Sequence, residues 1–430
     1  MIKIFITLFL ALLFSGCFGG LGSPAPKPYE KTFAEEDIYI LFALRAEQLK
    51  DYESAATIFN SLYEKSDKKE YLYQSLQNEL TLHKNAQVVA KIDAVTDGSM
   101  DDFKLVRLKI IALIGDEKFE EARVLAIKLV EKSKEVNDYI LVSEIYVKQK
   151  KYDTALKYLE SAYTKDYNEK ILDRMSIILY VNLQRNKEAI AQLETHARIH
   201  GCSKIICTRL IGFYSNENNI DSLLSVYLRY YEMEKSDNIA KKIVQIYAYK
   251  KEYIKLMGFL EKSKSDNELL LQVYINAKNY KKASKLANTL YEETGDANYL
   301  GQSAIFEYES NKNKADKKMQ DSVIEKLKEA VSAEKKPLYL NYLGYLLIDH
   351  SIDIKGGMKY IREALKLQPN SAFYLDSLAW GYYKLGNCEK AYKIISEVRK
   401  LDGGDDSEVI AHEKAIHECI NKKNKGKNKK

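Results

Sequence analysis

Proline is scarce in this chain. Of 430 residues only five are proline, and three of them, Pro24, Pro26 and Pro28, fall in one short stretch near the N-terminus. Pro337 and Pro369 alone interrupt what remains, which suits a long run of helices joined by short connections. A charge excess of one sign is also lacking. The formal net charge is +6, but the last ten residues carry six lysines (Lys422, Lys423, Lys425, Lys427, Lys429, Lys430) and no acid, and Lys3 adds another cation near the start. Without those cations the body is about neutral, so a nucleic-acid-binding surface is not indicated. Motifs of the common enzymes are missing too: there is no Walker loop, no Rossmann glycine pattern and no nucleophile elbow. Carboxylates are spread along solvated faces, with no pair set apart by spacing or apolar surroundings. The expectation is a protein that is not an enzyme and has no cofactor.

What is present begins at the N-terminus. Met1-Ile2-Lys3 is followed by an apolar run from Ile4 to Phe14 broken only by Thr7, the core of a signal peptide and too short for a permanent membrane span. It closes on Leu13-Phe14-Ser15-Gly16-Cys17. A lone cysteine directly after small residues at the end of such a core resembles the lipobox of bacterial lipoproteins, with Phe14 where leucine is usual. The resemblance implies that Cys17 is acylated after cleavage behind residue 16. Two or three acyl chains would give stable attachment. Phe18 follows where an aspartate signals inner-membrane retention in some families, which implies the outer membrane, facing the periplasm. Gly19, Gly20, Gly22, Ser23 and the proline-spaced stretch to Pro28 read as a tether, giving a signal segment over 1–16 and a lipidated tether over 17–34. A plain secretory signal is the simpler alternative.

From about Glu35 the dominant signal is self-similarity near 34 residues. Lys151-Tyr152-Asp153-Thr154-Ala155, followed by Leu159 and Ala162, sets an aromatic at a helix start, a small residue three later and a large apolar residue four after that. The cluster recurs as Tyr52 with Ala55 and Phe59, Phe119 with Ala122, Tyr280 with Ala283, and Cys388 with Ala391. Ala189 and Leu223 continue the spacing, and upstream amphipathic stretches such as Ile243, Val244 and Tyr247 supply a second helix per period. Small residues let the two helices of a hairpin approach closely, and no hairpin buries its apolar face alone, so neighbours must stack.

This pattern resembles the tetratricopeptide repeat. The resemblance covers about Glu35 to Glu418 in roughly eleven units, strongest in Tyr342-Leu343-Gly344-Tyr345, in Leu365 to Asn370 and in Asp376 to Gly386, and weakest over 70–102. It implies an all-α solenoid of helical hairpins wound as a right-handed superhelix. The expected layout is repeats over 35–297, an irregular repeat with a lysine-rich insertion over 298–336, a C-terminal repeat pair with capping helix over 337–420, and a disordered lysine tail over 421–430. The C-terminal pair is similar to tetratricopeptide lipoproteins of Gram-negative outer membranes, some of which bind a carboxyl-terminal processing protease of the periplasm and bring cell-wall hydrolases to it. The implied function is a membrane-anchored scaffold with protein partners. The alternatives are an assembly lipoprotein for a pilus or secretin machine and a structural linker between membrane and peptidoglycan.

In that fold the first helix of each hairpin lines the concave face. Helical phase then turns Asn341 and Tyr345, and likewise Asp376, Trp380 and Tyr383, inward as candidate partner-binding residues, since aromatics beside an amide or carboxylate are what a peptide groove requires. Packing between repeats is the plainer role for the same rings. In an oxidising compartment the four remaining cysteines are candidates for disulfides. Cys388 opens one helix and Cys419 closes its antiparallel neighbour, while Cys202 and Cys207 span an interhelix turn; free buried thiols are the alternative. His196, His200, Cys202 and Cys207 also carry a spacing that invites zinc, against which stands a buried, hydrogen-bonded His196 beside a disulfide. His412 and His417 are five apart, not the four that a metalloprotease helix needs, so no metal site is expected. For the anchor, Cys17→Ser is expected to abolish incorporation of a palmitate analogue and to release the chain from the membrane fraction; unchanged labelling would exclude Cys17 as the lipid site.

Overall fold

The computed structural model describes residues 30–427, with side chains through Lys422. Cys17, the signal segment and most of the expected tether lie outside the described residues. Among the described residues all regular structure is helical. Contacts divide the described residues into two compact units that part after Asn218.

The first unit comprises α1 (Glu36–Gln48), α2 (Tyr52–Ser66), α3 (Lys69–Thr81), α4 (Asn85–Thr96), α5 (Phe103–Gly115), α6 (Phe119–Ser133), α7 (Val136–Lys148), α8 (Tyr152–Asp166), α9 (Glu169–Ile177, continued by a π-helical turn over Ile178–Asn182), α10 (Asn186–His200) and α11 (Lys204–Asn216). The second comprises α12 (Ile220–Met233), α13 (Asp237–Tyr249), α14 (Tyr253–Ser263), α15 (Asn267–Asn276), α16 (Tyr280–Thr294), α17 (Ala297–Ser310), α18 (Lys317–Ala333), α19 (Pro337–Asp349), α20 (Ile354–Leu367), α21 (Ala372–Lys384), α22 (Cys388–Val398) and α23 (Ser407–Lys427). In the first unit α1 to α10 pair as antiparallel hairpins and α11 packs on the last of them; in the second, α13 to α22 pair in the same way between α12 and α23. This is an all-α array of the tetratricopeptide type. The starts of the second helices recur every 33 or 34 residues from Tyr52 to Tyr253.

The turns inside the hairpins, except the one between α17 and α18, follow one recipe. At the end of α7, Lys150 takes a left-handed conformation with φ 59°. The Lys150 N–H bonds Val147 O at 2.9 Å and the Lys151 N–H reaches back to Tyr146 O at 2.8 Å. These bonds satisfy carbonyls that a helix end leaves unpaired. Lys50, His83, Glu117, Gln184, Lys251, Lys278 and Ser351 hold the same position at other turns, and only Gly386 gives it to glycine. A short polar residue often follows and caps the second helix: Asp51, Asn279 and Asn387 each accept a bond from a backbone N–H three residues on.

Close approach is secured by the small residues that the repeat pattern singles out. Ala55, Ala122, Ala155, Ala189, Ala283 and Ala391 are fully buried. Between α19 and α20 the role passes to glycine: a Cβ on Gly344 would lie 2.7 Å from Gly357 O, and one on Gly357 would lie 2.6 Å from Gly344 O. Successive first helices are also tied by polar pairs about one repeat apart. Arg107 on α5 holds Asp138 on α7, and Arg209 on α11 holds Asp173 on α9, both with the guanidinium donating to both carboxylate oxygens. As the first helix of the array, α1 leaves Ile38, Leu41 and Phe42 exposed.

Two expectations need correction. The irregularity expected over 298–336 is confined to a longer, lysine-bearing turn over 311–316, because α17 and α18 on either side form a well-packed hairpin. The tail expected to be disordered from 421 is helical as far as Lys427, since α23 continues through it. The weak stretch over 70–102 likewise holds an ordinary hairpin, α3 with α4.

The glycine contacts set opposite signs for the same substitution. Gly344→Ala is expected to destabilise the soluble form, because overpacking of about 1–3 kcal/mol outweighs at most about 1 kcal/mol of helix propensity. Gly258→Ala, whose Cβ would meet nothing within 4 Å, is expected to stabilise by about 0.5–1 kcal/mol. Thermal melts followed by circular dichroism at 222 nm would check both signs.

Candidate functional site

The five residues expected to face a partner do converge. Asn341 and Tyr345 sit one turn apart on α19, and Asp376, Trp380 and Tyr383 share one face of α21. The Trp380 ring stacks on Tyr383 with centroids 4.7 Å apart, and its Nε1–H donates to Asp349 Oδ1 at 2.9 Å. Lys384 lies 5.2 Å above the same ring and donates to the Asp349 carbonyl. The indole is therefore oriented by the end of the preceding first helix.

The strip is not an open groove, because α23 lies against it. His412 stacks on Trp380 at 4.0 Å, and its Nδ1 is 2.8 Å from Asp376 Oδ2. Both members of this pair are nearly inaccessible, at 6 % and 5 % exposure. At the start of the same helix Glu408 accepts a hydrogen bond from the Tyr345 hydroxyl. Val409 and Ile416 anchor the helix in the apolar core. Cys419 is paired with Cys388 at a Cα separation of 5.9 Å. The chain's own C-terminal helix thus occupies the α21 side of the strip.

Towards α17 the strip continues as aromatic rings set among acids. Tyr342 donates to Glu309, and Tyr308 packs edge-on against Tyr342 with its hydroxyl 3.0 Å from His350 Nε2. Burial, followed by the Glu408 hydrogen bond, pushes the Tyr345 phenol well above the usual tyrosine range. Burial and then Glu309 do the same to Tyr342, and burial raises Tyr308 to about 12. These phenols stay protonated and remain hydrogen-bond donors at neutral pH. Two acceptors in the strip are buried without a hydrogen-bond partner: Asn341 Oδ1 and Asp376 Oδ1.

His412, Glu408 and Asp349 were not among the expected site residues. Val409, His412 and Ile416 fall at helical spacing, so the periodicity places His412 on the packed face of its helix. Its partner Asp376 lies 36 residues away, and nothing local announces it.

The other singled-out residues lie in the first unit. Cys202 and Cys207 are paired at a Cα separation of 5.4 Å. His196 is buried on α10, its Nδ1 2.7 Å from the Tyr163 hydroxyl. Burial, and then His200, hold its imidazole below the ordinary histidine range. Among the described residues no group of three or more His, Cys, Asp or Glu is placed to hold a metal ion. No helix of the described residues is long and apolar enough to cross a membrane.

No family model matches the chain, and no curated protein matches it. Among solved structures it is similar to the Cut9–Hcn1 hetero-tetramer of the APC/C, with 11% identity over 90% of this chain and 97% of that one and a TM-score of 0.40. It is also similar to yeast Tom70, with 12% identity over 89% and 96% and a TM-score of 0.32. A third is MamA from Desulfovibrio magneticus, with 15% identity over 40% and 99% and a TM-score of 0.34. Likenesses this loose add nothing to the repeat assignment, which stands on the chain's own turns and spacing.

The α23 contacts make Trp380 a reporter. His412→Ala is expected to cost about 1–3 kcal/mol by leaving Asp376 buried without its donor. Because Trp380 is the only tryptophan, uncovering its ring should shift the whole tryptophan emission to the red. An unshifted spectrum would mean that the stack does not exist in solution.

Proposed function

We propose that this chain is a non-enzymatic protein-binding scaffold, held at the periplasmic face of the outer membrane by acyl chains on Cys17. It receives partners along the aromatic strip of α17, α19 and α21. The observation that carries the reading is the pairing of rings with unsatisfied acceptors. Tyr342 and Tyr345 share α19 with Asn341, and Trp380 shares a face of α21 with Asp376; Asn341 Oδ1 and Asp376 Oδ1 have no hydrogen-bond partner, and buried polar atoms are costly to leave that way. On the α19 side, which α23 leaves less covered, a backbone N–H of an incoming segment would satisfy Asn341 Oδ1 while its side chains pack on the rings. The tether after Cys17 supplies the other half of the mechanism, concentrating bound partners near the membrane.

Within this class the protease-adaptor role stands first. It is supported by the lipobox sequence, by Phe18 in place of a retention aspartate, and by the resemblance of the C-terminal repeat pair to adaptor lipoproteins. The partners would then be a carboxyl-terminal processing protease and the cell-wall hydrolases it cuts. The test is affinity capture of the membrane-anchored chain from its own cells, beside Tyr345→Ala/Trp380→Ala. The expected outcome is enrichment of a periplasmic protease or wall hydrolase that falls more than ten-fold in the double variant, matching about 2 kcal/mol or more for aromatic anchors. An unchanged helical circular dichroism signal must accompany that loss. If no periplasmic protein is enriched, the scaffold reading fails; if the double variant retains every partner, the strip is not the binding surface.

A further inference from the structure

The second helices of two neighbouring hairpins in the first unit, α8 and α10, enclose a cleft that the scaffold reading does not use. It measures about 440 Å³. Four rings form one wall in mutual contact: Tyr163 and Tyr167 at 5.5 Å, Tyr167 and His200 at 5.7 Å, His200 and His196 at 4.6 Å, and His196 and Tyr163 at 6.0 Å. The charged groups of the lining are Glu160 and Glu188, with no lysine or arginine. Glu188 is engaged by Arg185, whereas Glu160 has no ion pair among the described residues.

Two polar atoms of the lining are buried and make no hydrogen bond, Gln192 Oε1 and His196 Nε2. His196 is only 3 % exposed. The nearest carboxylate oxygen, Glu169 Oε1, is 3.8 Å from its Nε2, too far for a hydrogen bond. In the tautomer whose Nδ1–H donates to the Tyr163 hydroxyl, Nε2 is a second acceptor beside Gln192 Oε1, and a bound N–H donor selects that tautomer. Four adjoining aromatic rings, a carboxylate without an ion pair and two unsatisfied acceptors share one complement, a cation that carries N–H donors. The depressed proton affinity of His196 fits the same complement, since a neutral imidazole does not repel a cation.

We infer that the α8–α10 cleft binds a primary alkylammonium group, seated against Tyr163, Tyr167, His196 and His200. Its N–H donors bond Gln192 Oε1 and His196 Nε2, and Glu160 balances its charge. The group comes either from the lysine side chain of a partner protein or from a small free amine. The site is built from second helices of the first unit, and it needs neither the aromatic strip of the second unit nor the lipid anchor.

The test titrates the purified full-length chain, in detergent, with three probes followed by saturation-transfer NMR. The probes are Nα-acetyl-lysine methylamide, its Nε-acetylated neutral counterpart, and cadaverine. Saturable binding of the first or third probe is expected, with the neutral counterpart at least ten-fold weaker. Glu160→Gln and Tyr167→Asn are each expected to weaken binding about three-fold or more. Asparagine tolerates the left-handed conformation that Tyr167 adopts at φ 53°, so the second variant keeps the turn. Binding of the lysine probe but not cadaverine assigns the site to a protein side chain, and the converse assigns it to a free amine. The proposal is overturned if neither charged probe binds, if the neutral probe binds as well as the charged one, or if both variants bind like the parent.

Discussion

The structure depends on how closely the two helices of each hairpin approach. At most of their crossings the second helix presents a residue with little or no side chain: Ala55, Ala122, Ala155, Ala189, Ala283 and Ala391, all fully buried, and Gly357 against Gly344. With that distance fixed, the larger apolar residues a turn away point outward into the next hairpin, and burial continues along the unit. The rotation of each first helix is fixed in the same step. Asp376, Trp380 and Tyr383 share a direction because the opposite side of α21, carrying Tyr374, Leu378 and Gly381, is committed to packing.

Rotation alone would leave the polar side chains of the first helices free to choose partners. The interhelix bridges remove that freedom. Arg107 with Asp138, Arg209 with Asp173 and Trp380 with Asp349 each join one first helix to its predecessor. Charge-assisted, two-pronged bonds hold the guanidinium pairs in a single geometry, and the indole N–H does the same for the site tryptophan. At the C-terminal end α23 supplies the last partners, Glu408 to Tyr345 and His412 to Asp376. The final helix therefore caps the apolar core and supplies hydrogen bonds to the strip at once. Its seat also shows that a helix can lie on these rings.

Much of the fold was legible because it rests on short-range regularities. An alanine three residues after an aromatic, repeated about every 34 residues, places the second helices well, and phase along α19 and α21 brings the five strip residues together. The boundaries that went astray have physical reasons. In α17–α18 the lysine-rich insertion changes only a turn, while Ala304, Val323 and Leu327 still pack, so the composition suggested more irregularity than the core permits. Past 421 the lysines read as solvated coil, but they extend a helix already started by Val409 and Ile416. The hairpin turns gave little signal, because a left-handed position that glycine would advertise is filled by lysine at residues 50, 150, 251 and 278. Least legible were pairs that meet only after folding, such as His412 with Asp376, and the α8–α10 cleft, whose rings come from two separate hairpins.

The Cys388–Cys419 pairing has a consequence for the chain as a mechanical object. In an array whose hairpins contact mainly their neighbours, tension at the ends is expected to peel helices away one after another. The bond joins residues 31 positions apart, so the loop it closes adds no extension when the C-terminal end is drawn outward. Tension entering at the end of α23 bypasses α22 and passes through the bond to the hairpin turn before Cys388. Helices α22 and α23 would then yield as one block, and the Trp380–His412 contact, which joins α21 to that block, would carry the load before any contact between α22 and α23 does.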